Sequence, residues 1–164
     1  SAGAKLAVQH LLASGRSKLA MIANEGSPQN KRRRNQGFVD ALPADMEEIV
    51  ARVVPTIEGG RQMAISLLEK HPDIDGIFTY NDIMAIGAIQ GIQSTGRTVP
   101  DDVAVIGCDD IAMGSVVSPS LSTVRIDRER LGSEAVRMLV ALIAGEPTGA
   151  PLSLPIELTI RESG

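Results

Sequence analysis

Short apolar, β-branched runs alternate along this chain with longer stretches of helical periodicity, and that alternation leaves few folds open. Leu19 to Ala23, Ile49 to Val54, Ile74 to Tyr80, Val103 to Gly107, Ser122 to Ile126 and Leu152 to Ile160 read as strands. Helical patterns lie around them. The first covers residues 3–14 and stops at Gly15. The second runs from Gln29 to Leu42 with Pro43 just beyond, and a third follows the Thr56–Gly60 loop to about Lys70. The fourth runs from Asp82 to about Ser94 and ends at Gly96, and the last, Arg128 to Ala144, is strongly amphipathic with Leu131, Ala135, Met138, Leu139 and Leu142 on one face. Strands alternating with helices of about 10 to 15 residues build βαβ units. Right-handed crossovers then give an α/β fold with a doubly wound, mostly parallel sheet.

In such sheets, ligands sit outside the carboxyl ends of the strands. Two runs deliver polar residues there. Phe78-Thr79-Tyr80-Asn81-Asp82 leads from a strand straight into a helix, and Val103 to Gly107 leads through Cys108 to Asp109-Asp110. Asn81 and Asp109 are therefore candidate ligand contacts. Each has a plainer reading beside it. Asn81 or Asp82 can cap the following helix, and one Asp of the second pair can hold a turn by accepting backbone N–H bonds. An Asn amide both donates and accepts, as sugar hydroxyls or purine edges require. A glycosidase pair at Asp109 and Asp110 would need one raised-pKa acid facing its partner. Calcium would need six or more oxygens.

Other features narrow the function by exclusion. A chain of 164 residues supports one sizeable core. Aromatics make up 2% (Phe38, Phe78 and Tyr80), too few to form a stacking platform for single-stranded nucleic acid. The net charge of −4 gives no global basic field for DNA or an anionic membrane. Cys108 is the sole cysteine, so no intrachain disulfide or thiolate zinc cluster can form. The Lys31-Arg32-Arg33-Arg34 run splays around a helix at about 100° per residue, so only part of it faces one way. One Arg turned towards the loop side can grip a carboxylate or phosphate. Neither a phosphate-binding GxGxxG or GxxxxGK[ST] loop nor a GxSxG elbow occurs, and His10 and His71 lie far apart.

Several motifs in order resemble the lactose/galactose-repressor (LacI/GalR) family. They are Ala7-x-x-His10-Leu11-x-x-x-Gly15, Arg34-x-x-Gly37-Phe38, Phe78-x-x-Asn81-Asp82-x-Met84-Ala85-x-Gly87-Ala88, Val99-Pro100-x-Asp102-Val103-x-Val105-x-Gly107-x-Asp109-Asp110, Pro119-x-Leu121-Ser122-Thr123-Val124, and the end Leu154-Pro155-Ile156-Glu157-Leu158-x-Ile160-Arg161-Glu162-Ser163. The resemblance spans essentially the whole chain. It implies a cytoplasmic, effector-responsive transcriptional repressor with a periplasmic-binding-protein-like core, in which two α/β subdomains clasp a small ligand. By this resemblance the helix-turn-helix head and most of the first subdomain lie outside the chain. Residues 16–125 and 151–164 would form the second subdomain. Residues 1–15 and 126–150 would each carry a helix remnant of the first, with crossings at Ile126-Asp127 and Ala150-Pro151.

The resemblance places Arg34, Asn81 and Asp109 at ligand-contacting positions and adds Asn30 and Ser27 as further polar contacts. It places Ile86, Ile89, Gln90 and Gln93, with Met113, Val116 and Val117, on a homodimer surface. It implies neither a cofactor nor a metal, no catalytic role, and operator contact only through the head. Two departures bear on the ligand. Cys108 stands where the family usually has an aromatic, and Val54-Pro55-Thr56-Ile57 carries no ring to stack on a base, which favours a sugar or similar hydroxylated effector over a purine. A sugar-binding transporter component shares this fold, and a small α/β hydrolase using Asp109 and Asp110 is the third reading.

Overall fold

The computed structural model of the chain describes residues 2–26, 28–147 and 153–164, with the backbone alone for 28–32. Six strands form one sheet: β1 (Leu19–Asn24), β2 (Ile49–Val53), β3 (Gly76–Thr79), β4 (Ala104–Cys108), β5 (Ser122–Ile126) and β6 (Ile156–Thr159). Five α-helices accompany them: α1 (Ala2–Ala13), α2 (Pro28–Val39), α3 (Ile57–Lys70), α4 (Asp82–Ser94) and α5 (Arg128–Ile143). The strand order is β2-β1-β3-β4-β5-β6, parallel from β2 to β5, with β6 antiparallel to β5. The fold is the mostly parallel α/β sheet expected from the alternation.

Strand alternation divides the core in two. On one face Ala20, Ile22, Ile77 and Val105 pack under α3 and α4. On the other, Leu19, Met21, Phe78 and Ile106 pack under α1 and α2. The chain leaves β1 through α2 on the second face and returns from β2 through α3 on the first. The order therefore reverses between β1 and β3, and a crevice opens at their carboxyl ends.

Helix α1 corrects one expectation. Instead of standing as a remnant of another subdomain, it is a built-in layer of this one. Ala4, Ala7, Val8 and Leu11, spaced i, i+3, i+4, i+7, are all buried against the sheet cluster of Met21, Phe78, Ile106 and Val124. Periodicity shows that a helix has an apolar face but not which surface covers it. Gly3 lets the helix approach β5, since a Cβ there would press on the Val124 side chain. Helix α5 behaves differently: it buries no residue, and Leu131, Val136, Leu139, Val140, Leu142 and Ile143 stand exposed.

The carboxyl-terminal residues are a staple. Ser163 is fully buried; its Oγ donates to the Val105 carbonyl (2.7 Å) and accepts from the Ser122 N–H (2.8 Å). The Glu162 carboxylate accepts from Ser120 N–H and Oγ at 2.8 and 2.9 Å. These bonds join the start of β5 to β4 at a place where the strand ladder alone leaves donors unpaired.

Helices α3 and α4 cross at backbone contact. A Cβ on Gly87 would collide with the Ile57 carbonyl, one on Gly60 with the Met84 carbonyl, and one on Gly91 would lie 2.5 Å from the Arg61 carbonyl oxygen. We expect Gly87→Ala to lower stability by about 1–3 kcal/mol through overpacking. Gly132→Ala, in the uncrowded interior of α5, should instead be neutral or mildly stabilising. Paired thermal denaturation checks both, and an equal response at the two positions would refute the close-crossing argument.

Candidate functional site

The site lies at the carboxyl ends of β1, β3 and β4, and its centre is held by an acid that the sequence offered only as a possible helix cap. Asp82 opens α4 but does not cap it. Asn81 is the cap: its Oδ1 accepts from Met84 N–H at 3.0 Å. The Asp82 carboxylate turns inward, 1% exposed, accepting from Thr123 Oγ1 (2.5 Å) and from Ile111 N–H (2.8 Å). Gly107 makes room for it, because a Cβ there would strike Asp82 Oδ1. Burial raises the Asp82 pKa, and the Thr123 and Ile111 bonds oppose the shift.

This clamp braces a contorted turn. Asp109 and Asp110 have φ of +128° and +51°, two consecutive non-glycine residues in territory that L-residues seldom enter. Such strain persists only where surroundings over-determine it. Asp109 N–H donates to the Val124 carbonyl (2.9 Å), and the Asp110 carboxylate accepts from Arg161 at 2.7 Å. Arg161 also donates to the Leu121 carbonyl (2.7 Å), and Arg128 donates to the Asp110 carbonyl (3.1 Å). Asp110 is therefore a structural anion. Asp109 is left as the half-buried acid at the mouth.

Burial raises the Asp109 pKa; Arg34 opposes that shift, Asp82 adds to it and Arg128 opposes it. Arg34 therefore lies within electrostatic range of Asp109, yet the two form no ion pair among the described residues. Arg34 sits on α2, with its guanidinium 4.4 Å from the Tyr80 ring centroid and an Nη donating to the Tyr80 carbonyl. Its neighbour Arg33 points to solvent. Cys108 is buried directly before Asp109, and burial pushes its thiol up to about 12, so it is a neutral packing group rather than a nucleophile.

The structure thus gathers Arg34, Asn81 and Asp109 around one crevice. Asn81 is both cap and rim: its Oδ1 is used by the helix while its amide stays at the mouth. Ser27 lies outside the described residues, and so does the side chain of Asn30. Tyr80, Thr123, Arg128 and Arg161 were given no role by sequence reasoning, and Asp82 only that of a possible cap. Asp82, Thr123 and Arg161 each stood inside a motif, without a mechanism.

The residues placed on a dimer surface divide. Ile86 and Ile89, expected on that surface, are 3% and 2% exposed and belong to the core cluster of α3 and α4. Their edges floor a groove of about 270 Å³ bordered by Gln90, Gln93, Val117 and Ser118. Met113 and Val116 are exposed beyond it, Val116 at 81%.

Residues 8–164 match the family described as periplasmic binding protein-like domain, and the chain belongs to that family. Its relatives there are LacI-family transcriptional regulators. The ribose operon repressor of Halalkalibacterium halodurans is 34% identical over 99% of this chain and 50% of its own length. The structure of the transcriptional regulator CelR in complex with cellobiose superposes with a TM-score of 0.92 at 34% identity, over 99% of this chain and 51% of that one. A LacI family regulator from Arthrobacter sp. FB24 in complex with lactose gives 0.84 at 33% identity, over 98% and 62%. The chain spans about half the length of the relatives it matches. No described helix is long and apolar enough to cross a membrane.

Two substitutions separate support from binding. Asp82→Ala orphans the Thr123 hydroxyl and the Ile111 N–H in a buried place; we expect a loss of about 2–4 kcal/mol in urea unfolding. A loss below about 0.5 kcal/mol would mean the clamp is idle. Asp109→Asn should act the other way. With its folded pKa raised above the unfolded value, Asp109 binds its proton more tightly when folded. Its ionisation therefore erodes stability as pH rises from the ordinary carboxylate range through the raised value. Asn escapes that penalty, so the variant should gain on the parent at pH 7 and lose that gain at pH 4. A difference independent of pH would overturn this.

Proposed function

We propose that this chain is the second half of the effector-binding core of a LacI-type transcriptional repressor, sensing a sugar or similar hydroxylated molecule. The observation that carries the reading is the trio Arg34, Asn81 and Asp109 at the sheet's topological switch. A guanidinium fork, an amide and a carboxylate supply both donors and acceptors, and each sugar hydroxyl can do both. Asp109 as an ionised acceptor and Arg34 as a permanent donor give charge-assisted bonds, the stronger kind. The sugars held by similar regulators support the class of ligand.

On this reading the site is not catalytic. Asp110 is bound to Arg161 and Asp82 to Thr123, so among the described residues Asp109 has no free carboxyl partner for glycoside hydrolysis. The region works as one wall of a cleft. The exposed apolar side of α5 belongs against the other subdomain, and residues 126–150 remain our assignment of the segment that passes through it. Operator DNA is contacted through a separate head, in a cytoplasmic homodimer whose surface includes the groove of Gln90, Gln93 and Val117 with Met113 and Val116.

Calorimetry of the full-length regulator with ribose, lactose and cellobiose tests the ligand class. Arg34→Ala and Asp109→Ala should each weaken binding of the accepted sugar about 10- to 100-fold while the fold persists. Unchanged affinity in both variants would remove the site from this crevice.

A further inference from the structure

We propose that Tyr80 is a positioning residue for Arg34: its ring and its carbonyl together fix the guanidinium at the mouth of the crevice, facing the ligand. This rests on the reading of Arg34 as a ligand contact. An Arg side chain has about 2 kcal/mol of rotamer freedom to lose when it is held in one geometry. A guanidinium already held in place before the ligand arrives spares the ligand that entropy.

Three observations carry the inference. The guanidinium carbon lies 4.4 Å from the Tyr80 ring centroid, well inside cation–π range. An Arg34 Nη donates to the Tyr80 carbonyl, so one arm of the fork is committed there, and among the described residues no other hydrogen bond holds the guanidinium. The ring is itself anchored, because Tyr80 N–H donates to the Ile22 carbonyl at 2.8 Å and the side chain packs on the cluster under α3 and α4.

The register follows from the core below. Phe38 on α2 stacks on Phe78 of β3, with ring centroids 6.4 Å apart and both residues fully buried. Arg34 is one helical turn nearer the mouth than Phe38, a rise of roughly 6 Å over four residues. Tyr80 is two residues nearer the mouth than Phe78, a rise of roughly 6.6 Å. Arg34 and Tyr80 thus both lie towards the mouth from the buried aromatic pair, and they meet there.

The test has two arms. In the first, the Arg34 Nε–H resonance is followed by NMR in the parent, Tyr80→Phe and Tyr80→Leu proteins, with no ligand added. Ring-current displacement should persist in Tyr80→Phe and collapse in Tyr80→Leu. The same resonance position in the parent and Tyr80→Leu overturns the proposal. In the second, calorimetry with ribose, lactose and cellobiose compares the same variants in the parent and Arg34→Ala backgrounds. Tyr80→Leu should weaken binding of the accepted sugar about tenfold, Tyr80→Phe should stay within about twofold, and neither should matter once Arg34 is Ala. Equal losses with and without Arg34 would show a merely structural ring and overturn the proposal. If Arg34→Ala itself leaves affinity intact, the site reading and this inference fall together. If Arg34→Ala weakens binding and Tyr80→Leu does not, only the inference falls. Should none of the three sugars bind the parent, the sugar reading fails and the NMR arm still decides the role of Tyr80.

Discussion

The buried carboxylate of Asp82 is the interaction on which the rest of the site depends. It joins three places distant in sequence: the start of α4, the β5 residue Thr123, and the backbone at Ile111 just past the β4 turn. A buried carboxylate is costly to ionise unless its oxygens are satisfied, and here each oxygen has a donor. The same bonds keep the turn after β4 from relaxing, and that turn holds Asp109 and Asp110 at positive φ. A strained loop that presents one carboxylate at a cleft needs such a brace. Gly107 fits the same logic, because any side chain there would displace the acid.

The division of labour between the paired residues follows from this. Asn81 and Asp82 are both good caps in isolation. The structure uses Asn81 as the cap because Asp82 is drawn inward by Thr123 and Ile111. Asp109 and Asp110 look equivalent in sequence and are opposites in the fold. Arg161 neutralises Asp110, while Asp109 meets its cation only across a gap. Each pair thus contributes one residue to the frame and one to the mouth, and the frame residue limits what its neighbour can do.

Much of the scaffold was legible because its cause is local. The strands announce themselves by β-branched runs, α5 by its apolar stripe, and the ends of α1 and α4 by Gly15 and Gly96, both of which adopt positive φ. What was not legible depends on tertiary partners. The periodicity of α1 could not show that Phe78 and Val124 would cover it. The apolar residues of α4 could not show that Gly87 and Gly91 would meet α3 while Ile86 and Ile89 border the groove beside Val117, since that helix is buried on most of its circumference. The roles of Arg161 and Ser163 rest on partners about 40 to 60 positions away, in the turn after β4 and in β4 and β5. Of the candidate site, Arg34, Asn81 and Asp109 were proposed because strand ends and a family likeness pointed there. The residues holding them could not be, since nothing local marks a Thr or a Tyr as a support.

The apolar side of α5 is the last element to place. A helix with this much exposed aliphatic surface, Ile143 at 79% among it, is poorly suited to open water. It leaves β5 through Asp127, whose side chain caps it by accepting from Arg130 N–H at 2.9 Å, and Arg128 reaches back to the Asp110 carbonyl. The helix is therefore joined to the rest of the chain at the Asp109-Asp110 turn and not at its apolar face. Any body that seats on that face is mechanically connected, through Asp127 and Arg128, to the loop carrying Asp109. On the function proposed above, movement of the second wall and occupancy of Asp109 would then report on each other through a single short segment. Coupling of that kind needs no long pathway, only a ligand that binds one relative placement of the walls better than another.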